Sequence, residues 1–493
     1  MRFVSACLAA LTLSCLLPVS TPAAGAHDRS LLAVGYRSPQ ALARAVAGGR
    51  GVVVRRIPQL HVAEVRPRVA DFAAAVRGLP GIHSVEHVLP RASAAEPALL
   101  STTLPYEWQF AATHEDRVPP AVVRAAGSVT IAVIDTGADV SAPDLAAKAP
   151  HTYNVLTGNS DVRDLNGHGT FVSSLAAGSV ANGEGIAGFG GDAHLLVIKA
   201  SGDDGSLTDL DEANAIVYAV DHGARVINLS VGGTATSFSE RRSIEYAAAH
   251  GVLIVAAVGN EYTQGNPVEY PAALLQPIGS RGRGGIGLAV GASTIDGSRA
   301  FFSNVGSHLS LVAPGENVFS ALSSLSSPDE YPRASLPGST TGLYGFASGT
   351  SFSTPEVVGA AALVMGANPL LRATEVAQIL KETASGHGSW NQETGYGVLD
   401  AAAAVARAQG PSGVVVRGSR SRRHVQLRWF SAAAARYRIT FRVDRKPTRL
   451  LLDGTTRTAL SVATRRGHRY VFTVSGLDDA GVVLGTTTYS VQA

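Results

Sequence analysis

The spacing of hydrophobic positions changes twice along this chain, and the changes divide it into three parts. In residues 27–92 the runs LLAVGY, VVVRRI, HVAEVRP and HSVEHVLP read as strands. Between them SPQALARAVAGG and DFAAAVRGLPG read as helices, the first with a Ser cap and closing glycines. The order β-α-β-β-α-β is that of the split βαβ unit, a small α+β module. From about residue 128 the runs become short and continuously apolar: VTIAVIDTG, HLLVIKAS, RVINLS, GVLIVAAVGN, GIGLAVGAS and LSLVAPG. Helical segments such as LTDLDEANAIVYAVDHGA and SFSERRSIEYAAAHG separate several of them. Strands apolar on both faces and alternating with helices predict an α/β domain with a mostly parallel sheet flanked by helices. After about residue 410 the period falls to two. In YRITFRV, Tyr437, Ile439, Phe441 and Val443 face one way and Arg438, Thr440 and Arg442 the other, predicting an all-β sandwich of antiparallel strands.

Composition agrees with a globular chain: 45% of residues are hydrophobic and 16% charged, which excludes disorder as the dominant state. Residues 1–26 carry one Arg, a short apolar run and Ala24-Gly25-Ala26, the pattern of a secretory signal peptide. Secretion is therefore expected. Cys7 and Cys15 both lie inside that segment, so disulfides are not expected. Thr12-Leu13-Ser14 before Cys15 makes a poor lipoprotein signal, and no later apolar run is long enough for a transmembrane segment.

Charge sharpens the division. Residues 27–92 hold ten Lys and Arg against four Asp and Glu, residues 93–410 fifteen against thirty, and residues 411–493 fifteen against four. An acidic block between two basic ones predicts units that attract one another or contact different partners. Residues 93–104 are small and polar, as in an exposed linker that is readily cut. The basic ends bring no nucleic-acid motif with them, and no specific nucleic acid is expected as a partner.

Four polar residues end or follow the apolar segments of the central block, where open α/β sheets gather their chemistry. Asp135 ends TIAVID; a strand-end Asp also serves to cap the next helix. His168 sits between Gly167 and Gly169 in NGHGTFVSSLAAG, where the glycines permit close approach, although a lone His is commonly structural. Asn260 ends VLIVAAVGN; it reads either as a turn residue or as an amide donor to an oxyanion. Ser351 stands at the mouth of the helical run in GTSFSTPEVVGAA, beside N–H groups and the positive end of the helix dipole.

These segments resemble the subtilisin-like serine proteases, the subtilases. The resemblance is carried by VIDTGADVSAPDL around Asp135, GHGTFVSS around His168 and GTSFSTPEVVGAAAL around Ser351, with NLSVGG, AAVGNE, YPA, FFSNVG and VAPGENV in support. It covers about residues 105–405 of an expected catalytic domain at 105–410, with 27–92 similar to the ferredoxin-like, inhibitor-like propeptide of such enzymes and 411–493 to a fibronectin type III-like module. It implies a zymogen and a Ser-His-Asp mechanism, with Ser351 as nucleophile, His168 as base, Asp135 orienting the imidazole, and the Ser351 N–H with the Asn260 amide receiving the oxyanion. No cofactor is expected for catalysis. Phe171 and Glu356 stand where the family usually has His, Phe352 where it has Met after the nucleophile, and Ser173-Ser174 where it has Ala-Gly.

The resemblance further implies that Ser230, Val231, Gly232 and Gly233 pair with an extended polypeptide substrate. Glu269, just before YPA, is expected either to favour a basic residue before the scissile bond or to be a solvated loop carboxylate. Asp144 and Asn182 fall where the family holds structural calcium, although two candidates fall short of the roughly six to eight oxygens that the ion takes. GEGIAG at 183–188 has the dinucleotide spacing, but it precedes a strand rather than a helix and carries no such function. The basic tail would bind either the acidic domain or an anionic surface such as an envelope or polysaccharide. The rival readings are a secreted binding protein on a subtilase fold without turnover and an α/β-hydrolase esterase. The esterase needs the order Ser, Asp, His, which this chain lacks.

Overall fold

The computed structural model describes residues 31–47, 50–92, 106–183, 185–334, 343–421 and 423–493. The signal-like segment and the whole of the linker, residues 93–104, lie outside these residues.

A seven-stranded parallel sheet forms the centre. Its spatial order is Leu311–Pro314, Leu288–Ser293, Leu253–Ala257, Val226–Leu229, Thr130–Asp135, His194–Lys199 and His151–Asn154. Six of these strands coincide with the apolar runs, because a strand covered on both faces has no polar side to show. One face packs on helices His168–Ala177 and Thr350–Ala367, every residue of which is buried. The other face packs on helices Asp209–Asp221 and Phe238–Ala249, whose caps Thr208 and Ser237 accept from the N–H groups of Asp211 and Glu240.

Residues 31–92 form a four-stranded antiparallel sheet in the order Gly51–Ile57, Val62–Pro67, Leu32–Tyr36, Ile82–His87, with helices Pro39–Val46 and Phe72–Arg77. One sheet face and these helices make a core around Val34, Leu42, Val65 and Phe72. Ala33, Ile57, Leu60 and Val62 instead pack on Leu210, Ala213 and Val217 of helix Asp209–Asp221. Charge follows the same seam: Arg55 reaches Asp211 at 2.7 Å, and Glu86 accepts the Phe238 N–H at the positive start of helix Phe238–Ala249, also 2.7 Å.

The tail is all-β. Strands Val415–Ser421, His424–Phe430 and Ala459–Ala463 make one antiparallel sheet, and Arg449–Thr455, Arg436–Val443, Arg469–Leu477 and Val483–Gln492 a second. Trp429, Tyr437, Ile439, Tyr470 and Phe472 fill the space between them. No helix among the described residues is long and apolar enough to cross a membrane.

Candidate active site

Asp135, His168, Asn260 and Ser351, spread over more than two hundred positions of sequence, meet at the carboxyl edge of the central sheet. Asp135 is the last residue of its strand, and its Oδ1 lies 2.7 Å from Nδ1 of His168. Both side chains are 1% exposed. His168 opens its helix after Gly167, whose φ of 100° favours glycine, and a Cβ on Gly169 would collide with the Gly137 carbonyl. Burial pulls the imidazole pKa down, but the charge and hydrogen bond of Asp135, with the charges of Asp164 and Glu330, together outweigh it and leave the imidazole above the ordinary 6.5.

Ser351 lies in the first turn of the helix Thr350–Ala367. Pro355, four residues on, has no N–H to give to the Ser351 carbonyl, and the Ser230 hydroxyl donates to that carbonyl instead at 2.7 Å. Ser351 Oγ in turn donates to the Ser230 carbonyl at 3.2 Å. Nε2 of His168 is buried and has no hydrogen-bond partner among the described residues. The Asp–His pair is thus assembled while the serine hydroxyl is turned toward Ser230. Catalytic hydrogen bonds of this kind commonly close only with substrate in place.

Asn260 has a defined orientation. Its Oδ1 accepts from the Thr350 N–H at 2.9 Å and the Thr350 hydroxyl at 3.0 Å, which leaves Nδ2 as the donor end of the amide.

The other expected residues divide. Ser230 is fully buried and bonded to Ser351 through both its hydroxyl and its carbonyl, braced by Asn228 Nδ2 at 2.9 Å, so its side chain faces Ser351 and not a peptide. Val231 is buried in the apolar cluster. Gly232 and Gly233 are half-buried and offer backbone: Gly233 pairs with Tyr270, and Gly232 pairs antiparallel with Ala92, N–H to carbonyl at 3.2 Å in both directions. Residues Pro90–Ala92 simultaneously pair with Ser206–Thr208. The end of the N-terminal unit therefore lies as the middle strand between two edges of the central domain.

Glu269 is no solvated loop carboxylate. It is 9% exposed, and burial, the like charge of Glu261 and a hydrogen bond with it raise its pKa to about 8. A Cβ on Gly232 would run into its Oε2, which puts this carboxyl directly behind the peptide-pairing edge.

Asp144 and Asn182 do come together, but as partners of one another: Asn182 Nδ2 donates to Asp144 Oδ1 at 3.1 Å, and the Ile186 N–H and Tyr344 hydroxyl donate to the same carboxylate at 3.1 and 3.0 Å. An amide presenting N–H and a carboxylate engaged by three donors do not fit a calcium shell. Among the described residues no group of three or more His, Cys, Asp or Glu side chains is placed to hold a metal.

Sequence reasoning missed Asp164. Fully buried, it accepts from the Thr136 hydroxyl, the Gly167 N–H and the Thr170 N–H, each at 2.8 Å, and Thr136 accepts from the Gly169 N–H. It ties the Asp135 strand end to the His168 turn. Its place four residues before His168 was the available signal.

Comparison with known proteins gives the same grouping. The subtilase family (Peptidase_S8) matches residues 126–397. Subtilisin BL of Lederbergia lenta is 35% identical over 276 residues, 56% of this chain and 90% of that protein. A thermophilic serine proteinase of Bacillus sp. (strain AK1) is 34% identical over 274 residues, 55% of this chain and 60% of its own length. The crystal structure of fervidolysin from Fervidobacterium pennivorans, described as a keratinolytic enzyme related to subtilisin, superposes with a TM-score of 0.66 at 19% identity, covering 91% of this chain and 87% of that one. With the family matched across more than half its length, this chain belongs to the subtilases, the subtilisin-like serine proteinases.

Proposed function

We propose that this protein is a secreted serine endopeptidase made as a self-processed zymogen. In this reading Asp135 holds the His168 tautomer, His168 Nε2 takes the proton of Ser351 Oγ, and Oγ attacks the carbonyl carbon of the scissile peptide bond. The Ser351 N–H and Asn260 Nδ2 receive the negative oxygen of the tetrahedral intermediate. His168 then returns the proton to the departing amine, and water hydrolyses the acyl-enzyme by the same path in reverse. Ser351 must rotate about its Cα–Cβ bond to turn Oγ from the Ser230 carbonyl toward His168, and the strand Pro90–Ala92 must leave the gap.

The observation that carries the reading is the placement of Pro90–Ala92 between Ser206–Thr208 and Gly232. An extended chain held in that gap runs past Ser351 as a substrate would, by strand addition. Residues 27–92 act as propeptide and intramolecular inhibitor, and cleavage falls between about residues 92 and 104. Glu269, joined by Glu261, favours Arg or Lys before the scissile bond. The basic β-sandwich spaces the enzyme from, or binds it to, an anionic envelope or polysaccharide.

Replacing Ser351 with Ala tests the whole. The variant should be secreted with residues 27–92 still attached and should not hydrolyse casein, while the parent hydrolyses it until a serine-directed phosphonate is added. Normal processing of the Ala variant would exclude self-maturation, and phosphonate-resistant hydrolysis would exclude the serine mechanism.

A further inference from the structure

Arg91 is the most deeply buried charge of the N-terminal unit, at 2% exposure. Its side chain leaves the middle strand opposite Leu207 and enters a pocket between two helices of the central domain. There Nε lies 3.3 Å from Glu212 Oε2 and Nη2 lies 2.9 Å from Glu240 Oε1, while Nη1 donates to the Pro90 carbonyl at 3.0 Å. Glu212 and Glu240 are both fully buried. Asp209 completes the wall, exchanging hydrogen bonds with the backbone of Leu89 through its N–H and its Oδ1.

Three carboxyl groups around one guanidinium is an excess of negative charge in a dry place. Burial, with the neighbouring charge of Glu240, pushes Glu212 up to about 8, and burial pushes Asp209 up to about 6. Unpaired, such groups are costly in a folded protein, and a cation is what offsets the cost. The carboxylates belong to helices Asp209–Asp221 and Phe238–Ala249 and so stay with the central domain when residues 90–92 depart. The pocket then opens onto the gap that receives an extended chain.

We infer that the Glu212–Glu240 pocket is a substrate subsite for an arginine side chain, taken at the strand position that Arg91 occupies in the zymogen. This rests on the protease reading above and names the substrate class: polypeptides with an Arg upstream of the bond cut. Arg fits better than Lys because its planar fork reaches two carboxylates on different helices at once, where an ammonium is a single point.

The test uses active enzyme from the full-length chain and internally quenched peptides in which each position two or more residues before the scissile bond carries Arg, Lys, Leu or Glu in turn. At one such position Arg should raise kcat/KM at least about tenfold over Leu, with Lys between them and Glu poorest. In Glu212→Gln and in Glu240→Gln the ratio of Arg to Leu at that position should fall to about two or less. Cleavage with no Arg preference at any of these positions in the parent enzyme overturns the subsite and leaves the protease reading intact. Failure to cleave any peptide overturns both. If either Gln variant does not fold, the parent enzyme's profile decides alone.

Discussion

The rings of Phe171 and Phe352 lie 4.5 Å apart, centroid to centroid, and Phe352 also faces the His168 ring at 5.6 Å. Two departures from the family pattern that look independent in the sequence are therefore one packing unit, a tilted aromatic pair beside the His168 imidazole.

That unit has a chemical consequence. A methionine beside the nucleophile oxidises to a polar sulfoxide, whereas a phenyl ring does not. Met365, farther along the same helix, is 1% exposed. Activity should survive dilute peroxide, and Phe352→Met should make it peroxide-sensitive. Rapid inactivation of the unaltered enzyme would refute this account.

Hydrolysis should depend on neutral His168. Because Asp135 holds the imidazole above its ordinary value, kcat/KM should rise with pH and level off only above about 6.5. Asp135→Asn should cut kcat by about ten-thousandfold through the wrong tautomer. Asn260→Ala should cost about a hundred- to a thousandfold, a magnitude carried over from subtilisin itself. A pH–rate profile flat from 5 to 8 would contradict the role of His168.

Glu356 carries a different pH effect. Fully buried, with neither oxygen hydrogen-bonded among the described residues, it is driven well above 4.5 by burial and then by the charge of Glu115. The folded protein thus keeps a proton that the unfolded chain releases near the ordinary value. The resulting stability is fully present below about pH 4.5 and is lost as pH rises toward the folded value. Glu356→Gln removes the charge and keeps the shape, so its Tm should exceed the parent's by a margin that grows from pH 5 to pH 9. An equal margin at both values would exclude proton linkage as the cause.

Glu269 should give a specificity that varies with pH. With its carboxyl near 8, it is largely protonated at neutrality and ionises above. The ratio of kcat/KM for Arg to that for Leu before the scissile bond should increase between pH 7 and pH 9. In Glu269→Gln the increase should be much smaller.

The basic tail touches the central domain through Arg417 and Glu375, 2.8 Å apart and partly exposed. A single pair of this kind contributes little, which leaves most of the tail's cations available to other partners. Full-length enzyme should bind an anionic matrix more strongly than enzyme ending near residue 410, and salt should release it. Equal retention of the two forms would assign the charge to contacts within the molecule.

Much of this architecture was legible because burial writes itself into composition. Six of the seven strands of the central sheet are apolar runs, and the segments around Asp135 and Asn260 sit where two of those runs end. The seventh strand, His151–Asn154, was not seen: an edge strand reading HTYN, with only Asn154 buried, has neither an apolar run nor a clean alternation. Asp164, Glu212 and Glu240 were missed for another reason. On a helix or a loop each reads as an ordinary surface charge, and what makes them otherwise is a partner brought in from elsewhere, as Arg91 is brought to Glu212 from more than a hundred residues away. Phe171 and Phe352 were noticed singly, since nothing in a one-dimensional string joins them.

The three-residue strand Pro90–Ala92 fills the gap that incoming chains would need. A tethered occupant competes at an effective concentration on the order of millimolar, far above most free peptides. If the chain is the zymogen proposed above, newly made enzyme should turn on after a delay whose length is set by how fast that strand is cut and lets go, and not by how much substrate is waiting outside.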